Sequence, residues 1–334
     1  MYKNKIIKLS ILFLIFTFVV SFGLFGCKKE TTTKKEQFEV GFIIPGAYES
    51  FYFDTMADAV KAAVAKKENI NVQVILGLDQ QDIEVQIKII EDLTQKNVDL
   101  LAVAVNDPNA VVSSLLKAQQ KGIPVILLDT LKPPEGLDVL SLIGSDDETG
   151  GEMIAKYIVE LLGGKGKIAV LEGIPGQYAN EFRLKGFRSV IDSYPDIEIV
   201  ASQPANWDRF QAMNVMKSIL QSNPDIDLIW GVDDEMAIGA VKALEDAAAT
   251  GKFYDVMVCG YNGDKEAIES LKKGKMKATI LQQPAEIGRT VIKIADMIKK
   301  GRIDEVEKLI VIPIINVTSE NVFDYIKIFS DIYS

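Results

Sequence analysis

The sequence predicts an α/β chain with two doubly wound parallel-sheet lobes and a ligand cleft between them. Two observations carry that expectation. Short apolar runs alternate with amphipathic stretches along almost the whole chain, which is the βαβ rhythm of parallel sheets buried on both faces. No Pro/Gly/Ser-rich linker interrupts the rhythm, although 334 residues are enough for about two domains of roughly 150 residues each. Two α/β units joined without a loose tether are expected to face each other, with the carboxyl ends of their strands lining a shared crevice.

In order, the aliphatic and β-branched runs at 40–44, 72–76, 100–105 and 125–129 read as strands. Between them, 50–67, 83–96 and 109–121 repeat apolar residues at helical spacing. The rhythm resumes after Ser145, with helices at 148–162, 180–193, 209–221, 235–248 and 265–273. They alternate with strands at 167–171, 197–201, 228–232, 256–260 and 278–281. Lys132-Pro133-Pro134-Glu135-Gly136 reads as a surface loop. The glycines at 163–166 follow a helix and lack the Ser/Thr that a phosphate loop needs after Gly-Lys, so they read as a helix C-cap.

Composition narrows function. Apolar residues make up 48% and charged residues 25%, as in an ordinary soluble globular protein. The formal net charge is −10 with scattered Lys and Arg, which argues against a nucleic-acid partner. There are 0 histidines, so the usual general base, the commonest zinc ligand and every Ser-His or Cys-His pair are missing. Asp146-Asp147-Glu148 lacks the alternation and glycine of a calcium loop. No cofactor and no metal are expected. Asp129 and Asp233 could in principle form a glycosidase pair, but nothing places a nucleophile beside a base.

The amino terminus reads as an export signal. Lys3, Lys5 and Lys8 precede the uncharged stretch 9–26, which ends Leu24-Phe25-Gly26-Cys27. Those last four residues resemble the bacterial lipoprotein signal, implying removal of residues 1–26 and acylation of Cys27, with 27–37 as a flexible tether. The other reading is an uncleaved anchor helix, since the stretch just reaches membrane-spanning length. Both hold the folded part outside the cytoplasm. Cys259 sits in an apolar strand without a basic neighbour and reads as an inert buried thiol.

The loops after the strands carry the chemistry. They hold Ser50-Phe51-Tyr52-Phe53, Leu128-Asp129-Thr130, Arg183, Asn206-Trp207-Asp208, Val232-Asp233-Asp234, Gly260-Tyr261-Asn262 and Leu281-Gln282. As an ordered set they resemble the extracytoplasmic sugar-binding proteins of ABC importers, in the ribose-binding branch of the type I periplasmic binding proteins. That branch shares its fold with LacI-type repressors. No helix-turn-helix precedes Phe38, and an export signal stands in its place.

The resemblance implies three hinge crossovers. It divides the chain into one lobe at 38–144 plus 283–313 and a second at 145–282 plus 314–334. It also implies a site. Tyr52 and Phe53 would stack on the sugar from the first lobe, with Trp207 on the opposite face. Asp129 would grip vicinal hydroxyls, Arg183 would supply the guanidinium of the second lobe, and Gln282 the hinge amide; Tyr261 would sit beside the site. Ser50 and Ala104 stand where ribose binders carry Asn, Thr130 stands where they carry Arg, and Asp233 and Asn262 exchange carboxylate and amide. The resulting corner is roomier and poorer in donors, which favours another pentose, a hexose, a deoxysugar or a polyol over ribose.

A sugar has apolar C–H faces and a polar equator, so rings above and below with charged and amide groups around the edge suit it. Each residue also has a plainer role open to it. Asp233 could cap a helix, Asp129 could bind a turn, Trp207 could pack under a loop and Arg183 could pair on the surface. The implied partners are a monosaccharide or polyol, the permease subunits and the membrane through Cys27, with the protein a monomer. A sensor that presents its ligand to a membrane receptor kinase would use the same clamp.

Overall fold

The computed structural model describes residues 37–45, 50–77 and 82–325. The signal segment and Cys27 lie outside them, as does the tether up to residue 36. The first lobe is built on β1 (Phe38–Ile44), β2 (Ile70–Leu76), β3 (Leu100–Ala104), β4 (Val125–Leu128), β5 (Ser141–Gly144) and β11 (Leu309–Val311), in spatial order 11-5-4-3-1-2. Every pair in this sheet is parallel.

Side chains along β1 alternate between two cores, as a sheet covered on both faces requires. Val40, Phe42 and Ile44 face a core with Tyr52, Met56 and Ile287. Ile43 faces the other, with Ile90, Leu93 and Leu115. Burying one such aliphatic or aromatic chain stabilises the fold by roughly 1.5–3 kcal/mol. The helices on these faces are α1 (Phe51–Val64), α2 (Ile83–Gln95) and α3 (Val112–Gln120).

The second lobe carries β6 (Gly166–Glu172), β7 (Ile197–Pro204), β8 (Leu228–Gly231), β9 (Met257–Cys259), β10 (Ala278–Leu281) and β12 (Ile315–Thr318), ordered 12-10-9-8-6-7. Its helices are α4 (Asp147–Leu162), α5 (Tyr178–Ile191), α6 (Arg209–Ser222), α7 (Asp234–Ala249) and α8 (Lys265–Lys272). Phe187 stacks on Trp230 at 4.4 Å between ring centres, and Cys259 is fully buried in the same core. Burial pushes the Cys259 thiol up to about 12, so it stays protonated and unreactive.

The strands between 38 and 128, those between 166 and 281 and helices α1 to α8 fall close to the positions expected from sequence. Four elements were not anticipated: β5, β11, β12 and helix α9 (Pro284–Lys299). The strands among them have only three or four residues, too few to show a period. Helix α9 packs on α1 in the first lobe. β12 runs antiparallel to β10, an exception to the parallel rule at the edge of the second sheet. The chain leaves the first sheet after Gly144, the second after Leu281, and the first again between Val311 and Ile315.

Candidate functional site

The loops at the carboxyl ends of the strands enclose a cavity of about 730 Å³, counting the part open to solvent. From the first lobe Ser50, Tyr52, Phe53, Ala104, Asp129 and Thr130 line it; from the second come Gln177, Tyr178, Arg183, Trp207, Asp233 and Asn262.

On the first-lobe side, Ser50 is the N-cap of α1, its hydroxyl accepting from the Phe53 N–H at 3.5 Å. The cap starts the helix so that Tyr52 and Phe53 occupy its first turn, edge to face at 5.3 Å. Tyr52 donates its hydroxyl to Asp129 Oδ1 at 2.6 Å. Asp129 follows β4 in the left-handed region, φ 59°, which short polar side chains tolerate better than most.

Arg183 dominates the second-lobe side and is almost completely buried. Its Nε donates to Asp147 Oδ1 at 2.8 Å and its Nη1 to the Val232 carbonyl at 3.0 Å. The guanidinium carbon lies 3.9 Å from the centre of the Tyr261 ring and 5.8 Å from that of Trp207. Trp207 is held by its loop. Asn206 and Trp207 both take left-handed backbone, φ 57° and 61°, and the indole N–H donates to Gln177 Oε1 at 2.7 Å. The ring lies over Gly173, where a Cβ would come within 2.0 Å of it, so only glycine leaves that seat open.

Electrostatics follow from burying acids beside one cation. Burial, then the charge of Asp147, pushes Asp129 up to about 7, against the lowering effects of Tyr52 and Arg183. Burial also raises Asp233 to about 7, although its carboxylate accepts from the Met236 N–H at 2.8 Å. An unfolded aspartate loses its proton near pH 4. Between pH 4 and 7 the folded protein therefore holds protons that the unfolded chain releases. Stability from these two groups is full below about pH 4 and lost as the pH rises to about 7. The melting temperature of the ligand-free protein is expected to fall across that window, and the double variant Asp129→Asn/Asp233→Asn to flatten the fall. An unchanged slope in the variant would contradict the assignment.

Of the residues named from sequence, Ser50, Tyr52, Phe53, Asp129, Arg183, Trp207, Asp233 and Asn262 line one cavity. Arg183 is no surface pair: its partner Asp147 is buried with it. Asp233 makes the capping bond at the start of α7 while also lining the cavity. Tyr261, expected beside the site, and Gln282, expected as the hinge amide, are fully or almost fully buried and stand behind the lining residues. Tyr261 supports the guanidinium face, in a seat where a Cβ on Gly150 would meet its hydroxyl at 2.0 Å. Gln282 donates from Nε2 to Asn262 Oδ1 at 2.9 Å and so orients a lining amide.

Sequence reading missed Asp147, Asp234, Gln177 and Tyr178. Asp147 and Asp234 sit in acidic runs at helix starts, where one carboxylate is hard to tell from its neighbour. Asp234 is fully buried and accepts from the N–H groups of Gly263 and Asp264, at 2.7 and 2.8 Å, which fixes the Asn262 loop. Gln177 and Tyr178 have no composition signal beyond their place between a strand and a helix.

Residues 40–303 match the periplasmic binding protein domain. The chain is 34% identical over 287 residues to the ribose import binding protein of Bacillus subtilis, covering 86% of this chain and 89% of that one. A solute-binding protein of an Actinobacillus succinogenes ABC transporter, crystallised with D-allose, superposes with a TM-score of 0.78 at 34% identity, over 86% of this chain and 99% of the other. The fructose-binding periplasmic domain of a hybrid two-component system superposes with a TM-score of 0.80 at 25% identity, over 89% and 96%. With two sheets, a shared cleft and these relatives, the chain belongs to the type I periplasmic binding proteins, in their ribose-binding-like, sugar-binding branch.

Proposed function

We propose that this protein captures a monosaccharide or sugar alcohol in the interlobe cleft and hands it to the membrane subunits of an ABC importer. The observation that carries this is the make-up of the cleft. The rings of Tyr52, Phe53 and Trp207 share it with the carboxylates of Asp129 and Asp233, the Arg183 guanidinium and the Asn262 amide. Such a mixture suits a ring with apolar faces and a polar rim. The family works outside the cytoplasm and its members bind rather than transform their ligands. Acylation at Cys27 after removal of residues 1–26 would tether the protein there, with the sugar, the permease and the lipid surface as its partners and a single copy as the working unit.

The passages near Ser145, Gln282 and Ile314 serve as the hinge, dividing the chain into lobes 38–144 plus 283–313 and 145–282 plus 314–334. Ligand contacts from both lobes then favour closure by the difference in affinity between open and closed forms.

The test is a thermal-shift and calorimetry panel of pentoses, hexoses, deoxysugars and polyols on the mature protein. A ligand at about 100 times its dissociation constant should stabilise the fold by roughly 2.7 kcal/mol. Scattering with that ligand should show a smaller radius of gyration. No response to any sugar or polyol would overturn the reading. The similar fructose-binding domain of a two-component system favours a second use of the same clamp, presentation of the sugar to a receptor kinase. Pull-down with the neighbouring permease or kinase separates the two.

A further inference from the structure

A second cavity, about 530 Å³ on the same measure, opens beside the sugar cleft. Thr130 and Tyr178 line both spaces, so the two adjoin. In the wall that the two share, the Thr130 side chain is short and turned back on its own loop. Its hydroxyl donates to the Lys132 carbonyl at 3.1 Å and accepts from the Lys132 N–H at 3.2 Å.

Resting on the sugar-binding reading, we infer that this second cavity is an annex for a substituent on the captured sugar, so that a disaccharide or aryl glycoside carrying that sugar, with its second ring seated there, binds more tightly than the sugar alone. Tyr178 and Phe182 stand one helical turn apart on α5, their rings 5.6 Å apart and tilted by 57°, and give its wall an apolar corner. From the opposite lobe Lys132 places its ammonium 5.5 Å from the centre of the Phe182 ring.

Polar groups complete the set. Asp147 lines the annex as well as holding Arg183. Ser145, 3% exposed and also in the lining, has an Oγ without a hydrogen-bond partner among the described residues. A buried hydroxyl left unpaired is costly, and a ligand hydroxyl would satisfy it. Two rings, a hydroxyl, a carboxylate and an ammonium around one space repeat the chemistry of the main cleft. That repetition is what a second sugar ring needs, whereas a free monosaccharide would leave the annex filled only by water.

The experiment compares, by calorimetry on the mature protein, the best monosaccharide of the panel with its methyl and phenyl glycosides and with disaccharides that carry it. At least one disaccharide or the phenyl glycoside is expected to bind about tenfold more tightly than the free sugar. Phe182→Ala, at a half-exposed position outside the main cleft, should weaken that larger ligand by about two- to tenfold and leave the monosaccharide within about twofold. Lys132→Ala, on the exposed loop, should shift the two ligands in the same unequal way. If every glycoside binds more weakly than the free sugar, the annex does not receive a substituent. If both variants weaken large and small ligands equally, these residues act only in lobe closure and the inference falls. Failure of every sugar, large or small, would remove the sugar-binding reading itself and the annex with it.

Discussion

Arg183→Leu is expected to destabilise the protein by about 3–5 kcal/mol, the largest effect of any single change at the site. The guanidinium is buried with Asp147, bonded to it at 2.8 Å, and is stacked against the Tyr261 ring. Leucine would leave the Asp147 carboxylate buried without its cation, and the Val232 carbonyl would lose a donor. The urea midpoint should drop with little change in slope. The double variant Arg183→Leu/Asp147→Leu should recover much of the loss, because replacing both members of a buried ion pair by apolar groups is often near neutral. A single variant as stable as the parent would show that this pair is not the buried, mutually dependent unit described above.

Asp129→Ala is expected to weaken ligand binding by about tenfold to a hundredfold. A charged group that hydrogen-bonds a buried hydroxyl contributes about 1.5–3 kcal/mol, and each 1.4 kcal/mol is tenfold in affinity. The Tyr52 hydroxyl, which donates to Asp129 at 2.6 Å, would also lose its acceptor at the cleft wall. Calorimetry of the variant against the best ligand reads the loss directly. Asp129→Asn keeps an acceptor for Tyr52 and should lose less. Equal affinity in Asp129→Ala and the parent would place the sugar elsewhere in the cleft.

Most of this architecture was legible in sequence because parallel strands buried on both faces read as continuous apolar runs. The run 100–104 is wholly buried in the structure, and its flanks break cleanly into helices. Helix α9 was legible too, from Pro284 at its start and apolar residues at helical spacing behind it, yet sequence reading stopped at Leu281. The short edge strands were not legible, since Leu309–Val311 is half exposed and pairs on one side only.

At the site, the aromatic residues and Asp129 stood out because their types are unusual at strand ends. Depth did not show. Tyr261 and Trp207 are both aromatic residues in loops after strands, but one supports Arg183 from beneath and the other lines the cavity. Only three-dimensional packing separates a wall from what stands behind it. The same holds for Asp146 and Asp147: one caps a helix through the Thr149 N–H and the other neutralises a buried guanidinium.

The late placement of β11 and β12 bears on how the chain acquires its fold. β11 completes one sheet and β12 the other, and only three residues separate them, at the far end of the described chain. During synthesis neither half has its full set of strands until residues 309–318 have left the ribosome. The amino-terminal half cannot be finished first and set aside, as it could in a protein whose domains follow one another like beads. Contacts between such distant segments also make folding intrinsically slow. Both lobes therefore stay unfinished until the last strands arrive, and they are completed together.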